Sequence, residues 1–483
     1  MLSLTDDGVG MFRNGVSLLL GESGWDKTTT DSEDPAGMGI FSLSNRGAVI
    51  ESMSLRVQLQ PAHFCGQQDA LVENSCVTQG TRISFSLSRQ EVKGLVEVIE
   101  NCAKFYPIPV YIDGRKVKQK NFLEGAVYRR LWNGLEIGVF DYRPCNDINF
   151  YGLVINQELP TVGMIDANSL KIAVDVIDAP ELKLVLPARK EVVQNKFFQE
   201  LREEAYRVIY SYVSTLEKHR LRYDEWVHAA SLGITLPEAE PTLLLYQPQK
   251  ADSNSEDFPE RVQVKDNSLL FAADTQVAEE QIFWHGFSGA ALNYELLSVE
   301  SGYQGYSWYD GLSVLTEIKI FVESGSKTVS LENATAQIDT QRSDAIWIEG
   351  NIKHSCGQSK SIRFGSDVAF WMDEELYSDL DGLNVCVSKN SEIKVDELAE
   401  LFENAYFCPS DDCESDSWET QRERFAEQAR ALATEILLSS EEALQERVRI
   451  IVNRELRWLV PKGQSMTIAI RGTDISVTSS TDS

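Results

Sequence analysis

The chain has 483 residues, of which 43% are hydrophobic and 25% are charged, and its formal net charge is −29. This length allows two to four domains, and so acidic a surface argues against a general nucleic-acid-binding protein, because it repels phosphate backbones. The sequence has neither an eighteen-residue apolar run nor a basic N-terminal segment followed by an apolar one, so we expect a cytoplasmic protein without membrane association.

The first predicted region, residues 1–118, alternates strands with turns before it reaches a helix. Strands are predicted at LSLT (2–5), within GAVIESMSLRVQLQ (47–60) and at GTRISFSLS (80–88), the last with clear period-two alternation. An amphipathic helix is predicted at 89–104, and the strand PVYID follows it and ends at Gly114.

The second predicted region, residues 119–235, has the pattern of an α/β domain. Its strands are predicted in the segments YRRLWNGLEIGVFD, NFYGLVINQ, LKIAVDVID and LKLVLP. A long amphipathic helix is predicted from about Lys190 to Lys218.

The sequence changes character twice beyond this point. Residues 236–262 carry the Pro, Ser and acidic clusters of a linker. Residues 263–392 are aromatic-rich and predicted to be β-rich, with His285 packed at a strand end, since no G-x-S-x-G elbow accompanies it. Residues 393–483 are predicted to be helical with a final strand, and the whole pattern predicts the α+β class.

Three glycine-bearing motifs occur in order near the N-terminus, and the first is Asp6-x-Gly8-x-Gly10. A carboxylate at the end of a strand can accept a hydrogen bond from the exocyclic amine of adenine. The two glycines let the backbone approach the base, because no Cβ stands in the way. On its own the pattern also describes many plain turns.

The second motif is Gly37-x-Gly39-x-x-Ser42, in which glycines precede a short apolar run. We expect a loop that opens a helix, whose unpaired N–H groups and positive dipole end suit phosphate. The third motif is Gly80-Thr81, where the threonine hydroxyl would support the adenine-binding carboxylate.

The order of these motifs resembles that of the GHKL, or Bergerat-fold, ATPases, which include gyrase B, the ninety-kilodalton heat-shock chaperones, histidine kinases and MutL. The stretch GMGIFS and the Ser-Gly at 23–24 are most similar to the chaperones. The resemblance implies an incomplete Bergerat ATP-binding α/β sandwich at 1–118 and a transducer-like domain at 119–235, with residues 12–36 as a lid. It implies ATP as the ligand and these roles: Asp6 at the adenine amine, Gly8 and Gly10 around it, Gly37, Gly39 and Ser42 at the phosphates, and Thr81 beside Asp6.

The resemblance continues in the segment LVLPARKEVVQNKFFQEL, residues 184–201. This segment is similar to the transducer segment of MutL and equally to a segment of the chaperone middle domain. In both families a basic residue here reaches the γ-phosphate, which implies that role for Arg189, and a guanidinium suits developing phosphate charge. Taken alone, Arg189 would be a solvated arginine at a helix start.

One element of the family pattern is missing from its usual place. The resemblance implies a Glu-x-x-x-Asn helix upstream of Asp6, whose Asn holds Mg²⁺ and whose Glu is the general base. Only five residues precede Asp6, so Mg²⁺ is expected only if a complete box is supplied upstream. Either the start is truncated, which we favour because the other motifs are intact, or the chain is a degenerate form that binds nucleotide weakly or not at all.

The missing box raises two questions: what covers the first strand, and whether another segment could replace the box. Apolar surface around Leu2 and Leu4 should be uncovered, so we expect a chain that is poorly stable or associates. Glu400 and Asn404 have the spacing of the box, but their use would need a permuted fold. We favour an ordinary amphipathic helix there that buries its apolar positions, Leu398, Leu401, Phe402 and Ala405.

No metal site is predicted from the cysteines or the acidic clusters. The eight cysteines lack zinc-finger or disulfide-framework spacing and are interpreted as reduced, structural thiols. The acidic run at 409–419 lacks the EF-hand pattern and is expected to cap the helix that follows.

The leading hypothesis is an ATP-binding protein of the GHKL class, a nucleotide-driven conformational switch that responds to ATP and ADP and has a protein partner or forms a homodimer. The first alternative is a non-catalytic scaffold or interaction module that has lost ATP hydrolysis. The second is a β-rich binding protein whose glycine loops are coincidental. No phosphoacceptor histidine box is present, which argues against a histidine kinase, and the acidic charge argues against MutL-like repair.

Overall fold

The computed structural model describes residues 1–11, 39–144, 146–165, 168–185, 189–252, 259–331, 342–372, 380, 382–410, 416–452, 464–472 and 474–481. Helices and mostly antiparallel sheets both occur throughout, so the α+β class is confirmed. The chain divides into two compact units, Met1–Glu240 and Pro241–Ser483.

The first unit begins with a five-stranded antiparallel sheet in the order β1-β5-β2-β3-β4. Its strands are β1 (Leu2–Asp6), β2 (Ala48–Ser52), β3 (Leu55–Leu59), β4 (Val72–Asn74) and β5 (Thr81–Phe85). Met53 and Ser54 both have positive φ, which gives the β2–β3 hairpin the tight turn that suits strand twist. Ile50, Val57 and Leu59 form a small core on one face of this sheet.

Short helices flank this sheet, and they differ from the single helix predicted at 89–104. They are a 3₁₀ helix (Gly39–Leu43), α1 (Pro61–Phe64), α2 (Arg89–Val92) and α3 (Leu95–Ala103), followed by the small strands β6 (Tyr111–Ile112) and β7 (Arg115–Lys116). Gly94 separates α2 from α3 with φ +80°, a conformation that a continuous right-handed helix does not contain. Among the residues of α3 only Ala103 is buried, so its apolar positions remain at the surface.

A second sheet follows in the first unit, in the order β11-β10-β12-β9-β8. Its strands are β8 (Tyr128–Trp132), β9 (Leu135–Phe140), β10 (Asp147–Phe150), β11 (Leu153–Asn156) and β12 (Lys171–Val176). Asn133 and Gly134 turn β8 into β9 with positive φ at both residues, the preferred chemistry for a two-residue hairpin loop. Helix α4 (Lys196–Val213) covers this sheet, with Trp132 stacked on Phe197 at 5.2 Å between ring centroids, and α5 (Tyr223–Ser231) follows.

The predicted start of the long helix at Lys190 is wrong by about one and a half turns. Helix α4 begins at Lys196 because the Asn195 side chain caps it, accepting a 2.9 Å hydrogen bond from the Phe198 amide. The residues before the cap are held extended by the antiparallel bridge between Leu184 and Val192. Sequence periodicity continued past the cap, but backbone pairing decided where the helix begins.

The second unit contains a six-stranded mixed sheet, a three-stranded sheet and two hairpins. Its strands are β13 (Thr242–Leu244), β14 (Arg261–Gln263), β15 (Ser268–Phe271), β16 (Glu295–Ser298), β17 (Ser313–Ser324), β18 (Lys327–Ser330), β19 (Arg342–Ser343), β20 (Ala345–Lys353), β21 (Ser359–Gly365), β22 (Val368–Met372), β23 (Leu383–Ser388), β24 (Gln464–Arg471) and β25 (Asp474–Thr481). Its helices are α6 (Val277–Gly289), a 3₁₀ helix (Ser301–Tyr303), α7 (Ser307–Asp310), α8 (Val395–Tyr406), α9 (Trp418–Leu437) and α10 (Ser440–Ile451).

The aromatic segment QIFWHGF, predicted to be a strand end, lies within helix α6. A short apolar run has no polar face to show its period, so a buried helix and a buried strand look alike in sequence. Helix α6 connects the parallel strands β15 and β16, the arrangement that a crossover requires. His285 is therefore a helical residue, and its Nε2 lies 3.5 Å from a carboxylate oxygen of Asp367.

Helices α8 and α9 contribute to the same core as the second unit's sheets. Phe370 of β22 packs edge-to-face on Phe402 of α8, with ring centroids 5.3 Å apart. The interval predicted as a linker contains β13 and pairs it with β14, so part of 236–262 belongs to this unit. Among the described residues, no helix combines the length and the apolar character needed to cross a bilayer.

Candidate functional site

Residues of the first and third glycine motifs, for which the resemblance implies contact with adenine, meet at one end of the first sheet. Antiparallel pairing sets Asp6 of β1 opposite Thr81 of β5. The same strand β5 pairs with β2, where Thr81 lies opposite Ser52. Three residues from separate parts of the chain therefore form one row across three strands, and with Gly80 we call them the strand-end cluster.

Buried hydroxyl groups hold this cluster together. The Ser52 hydroxyl donates to the Gly80 carbonyl at 2.7 Å, lies 3.3 Å from the Thr81 hydroxyl, and accepts from the Met11 amide at 2.9 Å. Ser52 is completely buried and Thr81 nearly so, whereas Asp6 is exposed. An exposed carboxylate thus lies in the same row as two buried hydroxyl groups that are hydrogen-bonded to each other.

Ser52 was not predicted from the sequence. It is a small hydroxyl residue at the end of an apolar strand, and such residues are common at strand ends for turn formation alone. Only its register against Thr81 shows that it connects the Gly80 strand with the segment that carries Gly10.

Gly80 and Gly10 are required by positive φ and by atoms that leave no room for a Cβ. Gly80 has φ +68°, and a Cβ built on it would lie 2.0 Å from the Asp6 carbonyl oxygen. Gly10 has φ +83°, and its Cβ would lie 2.7 Å from the Ser52 hydroxyl oxygen. Gly8 donates its amide to the Asp6 carboxylate at 2.9 Å, which turns the chain directly after β1.

The second motif forms a shorter element than the predicted helix start. Gly39 and Ser42 lie in the five-residue 3₁₀ helix, and the Ser42 hydroxyl donates to the Gly39 carbonyl at 2.8 Å. Ile40 packs against the small core of the first sheet, which fixes this turn on the sheet. A turn this short has no α-helical macrodipole to attract phosphate, so the expected helix start is corrected to a turn. Gly37 and the predicted lid at 12–36 lie outside the described residues.

Arg189 lies in a loop rather than at a helix start. It follows the bridge residue Leu184 and precedes Val192, and both bridge residues are buried in the core of the second sheet. Its φ is +52°, a left-handed conformation uncommon for a residue with a side chain, and its amide donates to the Val185 carbonyl at 2.9 Å. The backbone amide of Arg189 is thus fixed by a hydrogen bond close to the Leu184–Val192 bridge.

The other predicted candidates have structural explanations. In α8 the positions Leu398, Leu401, Phe402 and Ala405 are buried, which confirms the interpretation of this segment as an amphipathic helix. Glu400 is exposed on that helix, and the Asn404 carbonyl accepts from the Ala251 amide at 2.8 Å. Within the acidic run, Ser417 caps α9 by accepting from the Thr420 amide, as predicted.

The cysteines are only partly as predicted. Cys386 is buried in the core of the second unit, and burial raises the pKa of its thiol to about 11. Five further thiols are free but exposed, and these are Cys65, Cys76, Cys102, Cys356 and Cys408. Exposed thiols have no packing role, so the structural interpretation holds for Cys386 and not for these five; Cys145 and Cys413 lie outside the described residues.

No family model matches the chain, and no curated protein matches it either. Within the described ranges, no three His, Cys, Asp or Glu side chains come together in a group that could hold a metal ion.

Proposed function

We propose that this chain is an ATP-binding protein of the GHKL class, a nucleotide-driven conformational switch whose first sheet belongs to an incomplete Bergerat sandwich. The observation that carries the proposal is the strand-end cluster. Two motifs far apart in the sequence meet there, with Asp6 directly opposite Thr81. If the two motifs were coincidental turns, nothing would require them to lie at the same end of two paired strands.

The residues present suit adenine recognition. Asp6 is exposed, and the hydrogen bond described for its side chain comes from the Gly8 amide. Its carboxylate would therefore be able to accept a further hydrogen bond from the adenine amine. Gly8 and Gly10 bring the backbone close without a Cβ. Gly37, Gly39 and Ser42 would lie toward the phosphates, and Arg189 would meet the γ-phosphate. The nucleotide itself supplies the phosphoanhydride bond whose cleavage resets such a switch.

Mg²⁺ is expected only if a complete Glu-x-x-x-Asn box is supplied. Glu400 and Asn404 have the spacing of that box but belong to an amphipathic helix of the second unit. The proposal therefore concerns nucleotide binding and the response of the chain to it.

A second function is favoured by the short 3₁₀ turn at Gly39–Leu43. Because this turn offers phosphate few free amides and no helix dipole, the chain would hold adenine better than it holds the γ-phosphate. That bias suits a non-catalytic scaffold or interaction module that has lost ATP hydrolysis. It would bind ATP and ADP about equally, whereas a switch must distinguish them.

A cytoplasmic location and a protein partner or homodimer complete the proposal. Five exposed, unpaired thiols are typical of a reducing compartment, where disulfides do not persist. The acidic net charge argues against nucleic acid as the partner.

Calorimetric titration of ATP and ADP, with and without Mg²⁺, into the chain and into Asp6→Asn tests the proposal. The asparagine keeps an oxygen for the Gly8 amide, so the turn should persist while the charged acceptor is lost. Loss of a hydrogen bond to a charged acceptor weakens binding by about 1.5–3 kcal/mol, so affinity should fall about tenfold or more.

Asp7→Asn is the matched control, because it removes the same charge from the exposed neighbouring position. It should leave nucleotide affinity within about twofold, as expected for an exposed charge outside the contact. Absence of binding to a monodisperse wild-type sample, or equal losses in both variants, would refute the adenine site. Equal affinities for ATP and ADP would select the scaffold over the switch.

A further inference from the structure

One stretch of this acidic chain is strongly basic. Residues 104–130 contain seven Lys or Arg residues and only two acidic ones, although the whole chain carries a net charge of −29. The stretch includes β7 and the loop that joins it to β8. This local excess of positive charge creates a positive potential that attracts anions, although the chain as a whole is acidic.

The loop of this stretch surrounds an open cavity of about 530 Å³. The side chains that define it are Lys118, Lys120 and Arg129 together with Gln119, Asn121 and Glu124. Three cations face one carboxylate, so the lining is net positive. The volume lies within the range of about 300–1,000 Å³ that small-molecule sites occupy in proteins.

The loop that forms the cavity wall is fixed to the core by buried side chains and hydrogen bonds. Phe122 and Leu123 are buried beside Phe140, and the Asn121 side chain accepts from the Leu123 amide at 2.8 Å. The Gln119 side-chain amide donates to the Tyr106 and Ile108 carbonyls. A wall fixed at several points presents its charges in a constant arrangement, which lowers the entropy cost of binding.

Of the three cationic side chains that line the cavity, one stabilises the wall and two are available to contact a ligand. Arg129 donates to the Leu123 carbonyl and lies 3.7 Å from the Glu136 carboxylate, so it is held in place. Lys118 and Lys120 are exposed, and neither forms an ion pair with any residue of the described part of the chain. Lysine ammonium groups bind phosphate as point charges with three donors each.

We propose that this cavity binds a small anion that carries two or more phosphate groups. Its cationic lining matches a dense cluster of negative charge, and its volume fits a compact molecule. A long polyanion such as a nucleic acid would also meet the acidic surface elsewhere on the chain, which opposes its binding. The cavity is separate from the strand-end cluster and shares no residue with it.

Titration of inorganic tripolyphosphate into the full chain tests this proposal. The double variant Lys118→Gln with Lys120→Gln should bind about tenfold more weakly or worse, because two charge-assisted contacts are lost. Lys93→Gln with Lys327→Gln is the matched control. It removes the same charge from two exposed lysines outside the cavity, and its affinity should change by less than about twofold. Asp6→Asn should leave tripolyphosphate affinity within about twofold, because tripolyphosphate has no adenine, and this separates the proposal from the proposed function.

Vesicles of phosphatidylcholine with and without a phosphoinositide distinguish the source of the phosphates. Binding to the phosphoinositide vesicles that is lost in the cavity variant supports a lipid headgroup, and binding of tripolyphosphate alone supports a free metabolite. Absence of tripolyphosphate binding, or equal weakening in the control variant, would overturn the proposal. Tighter binding of a single-stranded oligonucleotide that depends on Lys118 and Lys120 would overturn it in favour of nucleic acid.

Discussion

Gly80 shows how much one residue determines in the strand-end cluster. Its positive φ and its contact with the Asp6 carbonyl leave no room for a side chain. The Ser52 hydroxyl bonds to the Gly80 carbonyl, so the same residue joins β5 to β2 and to β1. A substitution that strains the backbone at Gly80 should therefore disturb both the β1–β5 and the β2–β5 pairing.

Gly80→Ala should lower the free energy of unfolding by about 3 kcal/mol or more, from left-handed strain and backbone overlap together. Gly233→Ala is the control, since Gly233 also has positive φ, +81°, but its Cβ would meet nothing within 4 Å. It should cost only about 1–2 kcal/mol, the price of the left-handed conformation alone. Urea unfolding measures both, and equal costs would show that the overlap with Asp6 is relieved without strain.

The carboxyl group of Asp175 makes the stability of the folded state depend on pH. Burial raises the pKa of its carboxyl above the ordinary value of 3.8, the Glu136 charge adds to the rise, and a hydrogen bond from Asn149 opposes it. The ionised form is thus disfavoured in the folded state. Its cost is absent below the unfolded pKa, grows as the pH rises from there to the folded pKa, and is constant above it.

Asp175→Asn should therefore stabilise the first unit at neutral pH, because it removes the charge and keeps an oxygen for Asn149. The gain should shrink as the pH is lowered toward 3.8. Urea unfolding of both proteins across a pH series measures it. A gain that is independent of pH would mean that packing, and not ionisation, is responsible.

At the scale of elements, caps and turns decide boundaries that periodicity leaves open. The hairpins at Asn133–Gly134 and Met53–Ser54 reverse the chain where two consecutive residues have positive φ. Helix α4 starts at the Asn195 cap, although amphipathic spacing extends further upstream. Local hydrogen bonds at the element ends are worth enough to override a pattern of hydrophobic residues.

Asn195→Ala should cost about 1–2 kcal/mol, because it leaves the Phe198 amide without its capping acceptor. Asn195→Asp retains that acceptor and should recover most of the loss. Thermal or urea unfolding compares the two. If aspartate is as damaging as alanine, the bond from the Asn195 amide to the Glu181 carbonyl is the important one and the cap is not.

At the scale of the whole molecule, the first sheet is less well covered than the other large sheets. The second sheet of the first unit and the sheets of the second unit each have an extensive core, whereas the core cluster of the first sheet has three buried residues. Exposure was predicted for Leu2 and Leu4, and Leu4 is 51% exposed whereas Leu2 is half-buried. The edge strand β4 exposes Val72, and Leu71 beside it is 81% exposed. Exposed apolar side chains of this kind, beside the short edge strand β4, favour association with another copy.

We therefore expect the full chain to self-associate at micromolar concentration, which sedimentation velocity across a dilution series will show. Leu71→Ser with Val72→Ser should shift the equilibrium toward monomer, because it makes the edge polar. Leu444→Ser with Ile451→Ser removes comparable exposed apolar surface from α10 and is the control. A monodisperse wild-type monomer would contradict the expectation, and a larger effect of the control would move the interface to the second unit.

The sequence by itself determined the α+β class, most strands of both sheets in the first unit though not β4, the apolar face of α8 and the order of the glycine motifs. These features depend on neighbours within a few residues, through alternation, helical spacing and turn chemistry. Helix α6 was not recoverable in this way, because its buried residues include the consecutive run 280–283 and so do not repeat with a helical period.

Only the tertiary structure decided which distant residues meet. Strand register brought Asp6, Ser52 and Thr81 into one row, and Ser52 had no signal of its own in the sequence. The loop around Lys118 and Lys120 became a cavity because Phe122 and Leu123 are buried beneath it. Register and burial are set by the packing of segments far apart in the chain, and a local pattern contains no record of that packing.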